Sequence, residues 1–371
     1  MNEKIGFLIL IAIAAMSLNS CSDGDSGPSV IEGEPFDRQV LLINLADNLI
    51  LPAYDSYNEA LSDLQRSKDE FLQDPSQESL MALQGAWLIG YEAWQGVSIY
   101  DIGKAEEIGL RNFTNIYPTD IDLINQNAES ATYNLTLPSN FDAQGFPALD
   151  YLLFGVGDNE SSRIEILSGP GYSAYLSDIV DRLVEITSEV ITDWNNGFRD
   201  SFIGNNGSSA TASTDKIVND FLFHYEKFLR AGKIGIPAGV FSGSPRAGLV
   251  EAPFAAIYSK RLFNLGFEAS RDFFNGVSHT SGLDGIGLDD YLDHVANQNG
   301  TTSITGAIIN QWNTAQNQVN QLLDDFGQQI ASDNTLMLAA YDDIQRAVVL
   351  LKVDMMQALN IQVDFVDADG D

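Results

Sequence analysis

Few residues of the kinds that catalyse are present, and their spacing is unhelpful to most chemistries. Three histidines (His224, His279 and His294) and one cysteine (Cys21) are spread over 371 residues. No His-Glu-x-x-His helix and no Cys-x-x-Cys pair occurs, so the usual zinc signatures are missing. The histidines fall on different expected elements, and each reads more simply as an ordinary polar residue than as one ligand of a shared site. His294 follows Asp290 by four residues, which puts the two on one helical face as a surface pair. The serines of "SGSPRAG" (Ser242–Gly248) do not form a Gly-x-Ser-x-Gly elbow, and no strand precedes them. The closing "DADGD" (Asp367–Asp371) opens like a calcium loop but stops before the glutamate such a loop needs at its twelfth position. What remains is "QGFPALDYLLFG" (Gln144–Gly155), an apolar helical stretch carrying one carboxylate, Asp150.

Charge narrows the partners. Acidic residues outnumber basic ones 52 to 19, a formal net charge of −33. Such a surface repels phosphate backbones and excludes nucleic acid as a partner. It also avoids anionic headgroups and gathers cations non-specifically.

The elements that must position any site are helical. "MNEKIGFLILIAIAAMSLNSC" has Lys4, an apolar run too short to span a membrane comfortably, and Leu18-Asn19-Ser20-Cys21. "LNSC" resembles a bacterial lipobox, so residues 1–20 read as a lipoprotein signal and Cys21 as the lipidated residue. With Cys21 the only cysteine, no internal disulfide can form. Residues 21–36 are rich in Gly, Ser, Pro and acids and read as a flexible tether. These features predict a lipid-anchored protein of the bacterial envelope, on the periplasmic or cell-surface side, with the outer membrane favoured.

From Arg38 onward apolar residues recur every three or four positions, and no stretch alternates like a strand. Pro52 should kink or divide the first helix. Asp74, Pro75 and Gln77 look like the cap, first position and capping box of the second. Trp87 and Trp94, seven apart, share a core face. Later helices are expected at about residues 172–202, 303–330 and 334–359. The pattern predicts an all-α fold of two packed bundles, residues 37–205 and 206–371, divided at "GNNGSSATAST" (Gly204–Thr214).

Several stretches resemble one family. "ADNLILPAYDSYNEAL" (Ala46–Leu61), "LQGAWLIGYEAW" (Leu83–Trp94), "GFPALDYLLFG", "GKIGIPAG" (Gly232–Gly239), "VEAPFAAIYS" (Val250–Ser259) and "LLKVDMMQALNIQVDFVDADGD" follow the order of the imelysin-like proteins. The resemblance implies an all-helical fold of two bundles from an internal duplication, an envelope location and a link to iron uptake. It also implies a metallopeptidase-type Gly-x-His-x-x-Glu motif. Here Gly145 matches the glycine, Pro147 stands at the histidine and Asp150 at the glutamate. Proline offers no ligand atom, and a catalytic zinc wants about three protein ligands. Beside Asp150, Glu251, which matches a family glutamate, and Ser259 or Tyr258 are the remaining candidates for an oxygen-rich site suited to a divalent or ferric cation. The expectation is therefore a non-catalytic binding lipoprotein for a metal, a metal chelate or another small ligand. The alternatives are a metallopeptidase with a degenerate site, or a scaffold contacting a protein partner.

Overall fold

The computed structural model describes residues 35–365, so Cys21, the lipobox and "DADGD" lie outside the described residues. Among those residues every regular element is helical and no strand occurs. None of the described helices is long and apolar enough to cross a membrane.

Helix α1 (Arg38–Asn44) is capped by Asp37, whose carboxylate accepts the N–H groups of Gln39 and Val40. It passes through a π-helical turn, Leu45–Ile50, into α2 (Leu51–Gln73). The chain stays helical through Pro52 where a kink or break is expected. Leu51 N–H already reaches back five residues to Ala46 O, so the proline ring and its missing N–H arrive in a widened first turn.

Helix α3 (Gln77–Val97) begins on Ser76, not on Asp74. Asp74 instead ends α2, and Ser76 and Ser79 close the capping box through reciprocal side-chain bonds of 3.2 and 3.0 Å. A proline disfavours helical backbone in the residue before it, which holds Asp74 out of the helix. Trp87 and Trp94 both face the core, 0% and 1% exposed.

Four further elements complete the frame around the site. They are α4 (Gly145–Asp150), followed by a π turn at Tyr151–Gly155; α5 (Pro170–Asp193), packed on α2; α6 (Ser213–Phe223); and a π-helical segment, His224–Gly235, that continues α6. Helix α7 (Ser259–Asn275) packs against α3 and so joins the early and late parts of the chain. Helices α8 (Thr305–Val319) and α9 (Phe326–Val349) pack on each other.

The late helices divide differently from the expected 303–330 and 334–359. The main break falls at 320–325, where Asp325 caps α9 by accepting Gln328 N–H at 2.8 Å. Asp333 kinks α9 instead of ending it: its backbone turns extended (φ −155°) while its carboxylate accepts Thr335 N–H.

Gly204–Thr214, read as the boundary between bundles, connects a short helix, Arg199–Gly204, to α6. Packing is continuous across it. One hydrophobic core runs from Leu41 to Ile361, and the described residues form one compact unit.

Candidate functional site

The motif helix α4 is buried at all six positions. Gly145 has φ +71°, and a Cβ there would stand 2.2 Å from Thr114 O, so only glycine fits. Pro147 lies in the first turn, where its absent N–H leaves no helix bond unmade. Phe146 O accepts the indole N–H of Trp87 at 3.2 Å, and the Phe146 ring stacks on Tyr91 at 4.7 Å. These contacts bind α4 to α3.

Asp150 is completely buried. Its Oδ2 accepts Phe254 N–H and its Oδ1 accepts Ala255 N–H, both at 3.0 Å. Burial pushes its carboxyl up to about 7, with the two N–H donors pulling the other way. Both oxygens thus face backbone donors, an anchor for the loop that carries Glu251. Between anchor and glutamate, Ala252 sits at φ +55°, a strained conformation for an alanine.

Glu251 is 2% exposed and ends in a buried polar network. Its Oε1 accepts Asn115 Nδ2 at 2.9 Å and Gln95 Nε2 at 3.4 Å, and its Oε2 pairs with the Lys233 ammonium. Lys233, itself 3% exposed, also donates to Gln95 Oε1 at 2.9 Å. Burial pulls the lysine below its ordinary range, opposed by Glu251. Tyr91 closes the circuit by donating to Asn115 Oδ1 at 2.6 Å. The motif helix and the Lys233–Glu251 pair are therefore linked twice, through Phe146, Tyr91 and Asn115 and through the Asp150-anchored loop.

Lys233 belongs to a π-helical segment that buries His224, Glu226, Arg230 and Lys233 together. Nothing in the residue types of "HYEKFLRAGKIG" separates it from an ordinary helix. The readable signal is slight: ionisable residues interleaved with the apolar Tyr225, Leu229 and Ile234. A chamber of about 20 Å³, room for about one water, lies between Lys233, His224, Asn115 and Tyr117. His224 Nε2 meets Ser98 Oγ at 3.0 Å, while its Nδ1 is buried with no hydrogen-bond partner. Burial holds this imidazole well below its usual range, reinforced by Arg111 and Lys233.

The other candidates are not gathered here by any hydrogen bond. Ser259 Oγ donates to Ala256 O at 2.7 Å and accepts Phe326 N–H at 2.9 Å, tying α7 to the start of α9. The half-buried Tyr258 ring lies 6.4 Å from Trp87. His279 is exposed beside Ser56, and His294 packs edge-on to Phe36. Asp290 caps its own helix by accepting Gly287 N–H instead of facing His294. Among the described residues no group of three or more His, Cys, Asp or Glu is placed to hold a metal ion. The residues at the motif therefore do not fit a catalytic metal. Pro147 lacks a donor atom, both Asp150 oxygens are engaged, and a lysine already supplies the cation beside Glu251.

Fold and site define an all-helical protein whose early and late parts meet on a buried lysine–glutamate pair beside the buried helix of Gly145, Pro147 and Asp150. The chain belongs to the imelysin family: the model of that family, peptidase M75, matches residues 50–351. No curated protein matches it. Solved structures share the fold, among them the following two. An imelysin-like protein from Psychrobacter arcticum 273-4 is 18% identical with a TM-score of 0.66, covering 89% of this chain and 97% of that one. A protein from Parabacteroides distasonis ATCC 8503, described provisionally as an iron-regulated protein A precursor, is 14% identical with a TM-score of 0.69, covering 86% and 95%.

Proposed function

We propose that this chain is a non-catalytic binding lipoprotein of the bacterial envelope, anchored through Cys21 and serving iron handling by holding a metal chelate or other small ligand. One observation carries the non-catalytic reading: both Asp150 oxygens accept backbone N–H groups, so the carboxylate of the altered motif is committed to a loop. A peptidase of the metal type needs a Lewis acid and an activated water, and no ligand set for that ion is assembled at Asp150 and Glu251. The iron connection comes from the Parabacteroides distasonis relative and from family membership. The envelope address comes from the lipobox-like "LNSC".

The test incubates the full chain with iron, zinc, copper and calcium, and reads retained metal by elemental analysis and calorimetry beside Asp150→Ala. The expected result is weak, salt-sensitive binding, equal in both proteins, with no chelator-sensitive cleavage of unfolded protein. Chelator-sensitive cleavage of unfolded protein, lost together with stoichiometric metal in Asp150→Ala, would overturn the non-catalytic reading. Loss of membrane fractionation in Cys21→Ala tests the anchor.

A further inference from the structure

The folded body is pinned from Phe36 onward. The Phe36 ring stacks on Tyr291 at 4.3 Å, Arg38 donates to the Tyr291 hydroxyl at 2.8 and 2.6 Å, and Asp37 caps α1. Cys21 therefore joins the body at one defined place, through about fifteen residues that reach at most about 50 Å. Val40 and Ile43 stand exposed in the first two turns of α1, within about 10 Å of helical rise from that junction.

The turn that follows α7 completes an apolar corner beside them. Asn44, next to Ile43 and one helical turn on from Val40, donates to Gly276 O at 2.8 Å and to Ile286 O at 2.9 Å. Gly285 lies against the same side chain, where a Cβ would stand 2.6 Å from Asn44 Oδ1. Leu283 and Ile286 point outward from this turn, and Leu283, 70% exposed, is the most exposed large apolar residue among the described ones. Its exposure is held by hydrogen bonds. Leu283 O accepts Ser278 N–H at 2.9 Å, Ser278 O accepts Gly282 N–H at 2.9 Å, and Asn48 O accepts His279 N–H at 2.8 Å. Single exposed apolar residues are ordinary on any surface, whereas several held at one corner mark a contact surface.

Position and charge select what covers it. Asp37 and Asp284 are exposed in the same segments, while Arg38 and Arg199 are engaged with Tyr291 and Asp47. With a net charge of −33, an anionic surface or a second copy of the chain is repelled, and an uncharged apolar layer is not. We propose that this corner seats in the headgroup–acyl boundary of a zwitterionic lipid surface, with Val40, Ile43, Leu283 and Ile286 entering it together. The inference rests on the anchor at Cys21 and adds how the body stands on the membrane. A tether joined beside the corner keeps it at high effective concentration over the bilayer, so a small apolar contact suffices.

The experiment couples the chain from Cys21 onward, which contains every described residue, to a maleimide lipid in phosphatidylcholine vesicles. Cys21 is the only thiol, so the attachment point is defined. The anchor is supplied chemically, and a failure of lipidation in the cell, read by Cys21→Ala, leaves this test standing. Leu283→Trp reports contact through quenching by brominated lipid, with Val40→Trp as a second reporter. Ile257→Trp is the control, because Ile257 is 62% exposed but lies before the opposite end of α7, about 25 Å away along that helix. The four native tryptophans are buried and give a background that the parent measures. A side chain seated about 5–10 Å into the boundary should lose about half of its added emission. The control should lose almost none, and phosphatidylglycerol in place of phosphatidylcholine should weaken the effect. The proposal is overturned if neither corner reporter is quenched, if the control is quenched equally, or if the uncoupled chain sediments as a dimer that Leu283→Asp dissociates.

Discussion

Lys233→Met tests whether the buried network is held by charge pairing or by packing. Methionine keeps much of the lysine's length and apolar stem but removes the ammonium. Glu251, 2% exposed, would keep its Asn115 donor at 2.9 Å but lose its counter-charge, and Gln95 Oε1 would lose its donor at 2.9 Å. Breaking one side of a buried ion pair costs about 3–5 kcal/mol, a large part of the roughly 5–15 kcal/mol that keeps a domain folded. Glu251→Gln should cost less, because burial already pulls Lys233 low and it can shed its proton. In the double variant the introduced glutamine can accept from Asn115 and donate to Gln95, leaving no charge buried. It should come within about 1 kcal/mol of the parent, since uncharged replacement of a buried pair is often neutral. Urea unfolding followed by tryptophan fluorescence reads all four proteins, with Trp94 lining the adjacent chamber as a reporter. A Lys233→Met cost below about 1 kcal/mol, or single costs that simply add in the double variant, would refute the pairing argument.

Three further outcomes follow from the same site. Asp150 has its carboxyl raised from 3.8 to about 7, so its contribution is fully present below its unfolded value and is lost as pH rises through 7. The stability of the parent relative to Asp150→Asn should therefore fall by up to about 4 kcal/mol across that window, and a flat difference would refute the assignment. Gly145→Ala should cost about 3 kcal/mol or more, because a positive φ is combined with a backbone clash. Gly109→Ala, with φ +70° but its nearest neighbour, Asn112, at 3.5 Å, should cost only the backbone strain of about 1–2 kcal/mol, and equal melting shifts would contradict the clash. His224 has a depressed pKa, so the stability it contributes is present above the unfolded value near 6.5 and is lost as pH falls below it. Its ring signal in NMR should titrate well below the ordinary histidine range, and His224→Gln should flatten the acid limb of the stability curve.

The fold was legible because its information is local. Apolar periodicity along α2, α3, α5 and α7 marks their buried stripes, and the paired tryptophans of α3 lie where a seven-residue spacing puts them. Boundaries were less legible where two local signals compete. Asp74 and Ser76 can each cap a helix, and the backbone demand of Pro75 decides between them; Asp325 and Asp333 each offer a cap, and only the first ends a helix. The site divides the same way. Gly145, Pro147, Asp150 and Glu251 stood out as residues, but what they do depends on partners at long range. Asp150 meets a loop 104 residues on, Lys233 meets Gln95 across 138, and Asn115 meets Glu251 across 136. A run such as "GKIGIPAG" shows a lysine beside helix-ending residues, which reads as a solvated end. Its burial is dictated by the π-helical segment, whose turns are wider than the 3.6-residue period by which a sequence is scanned. Charge buried among apolar neighbours is the sign that an ion pair must exist, and the partner then follows from the shortage of alternatives. Once α3, the π-helical segment and the Asp150-anchored loop converge, Glu251 is the one carboxylate that pairs with Lys233 among the described residues.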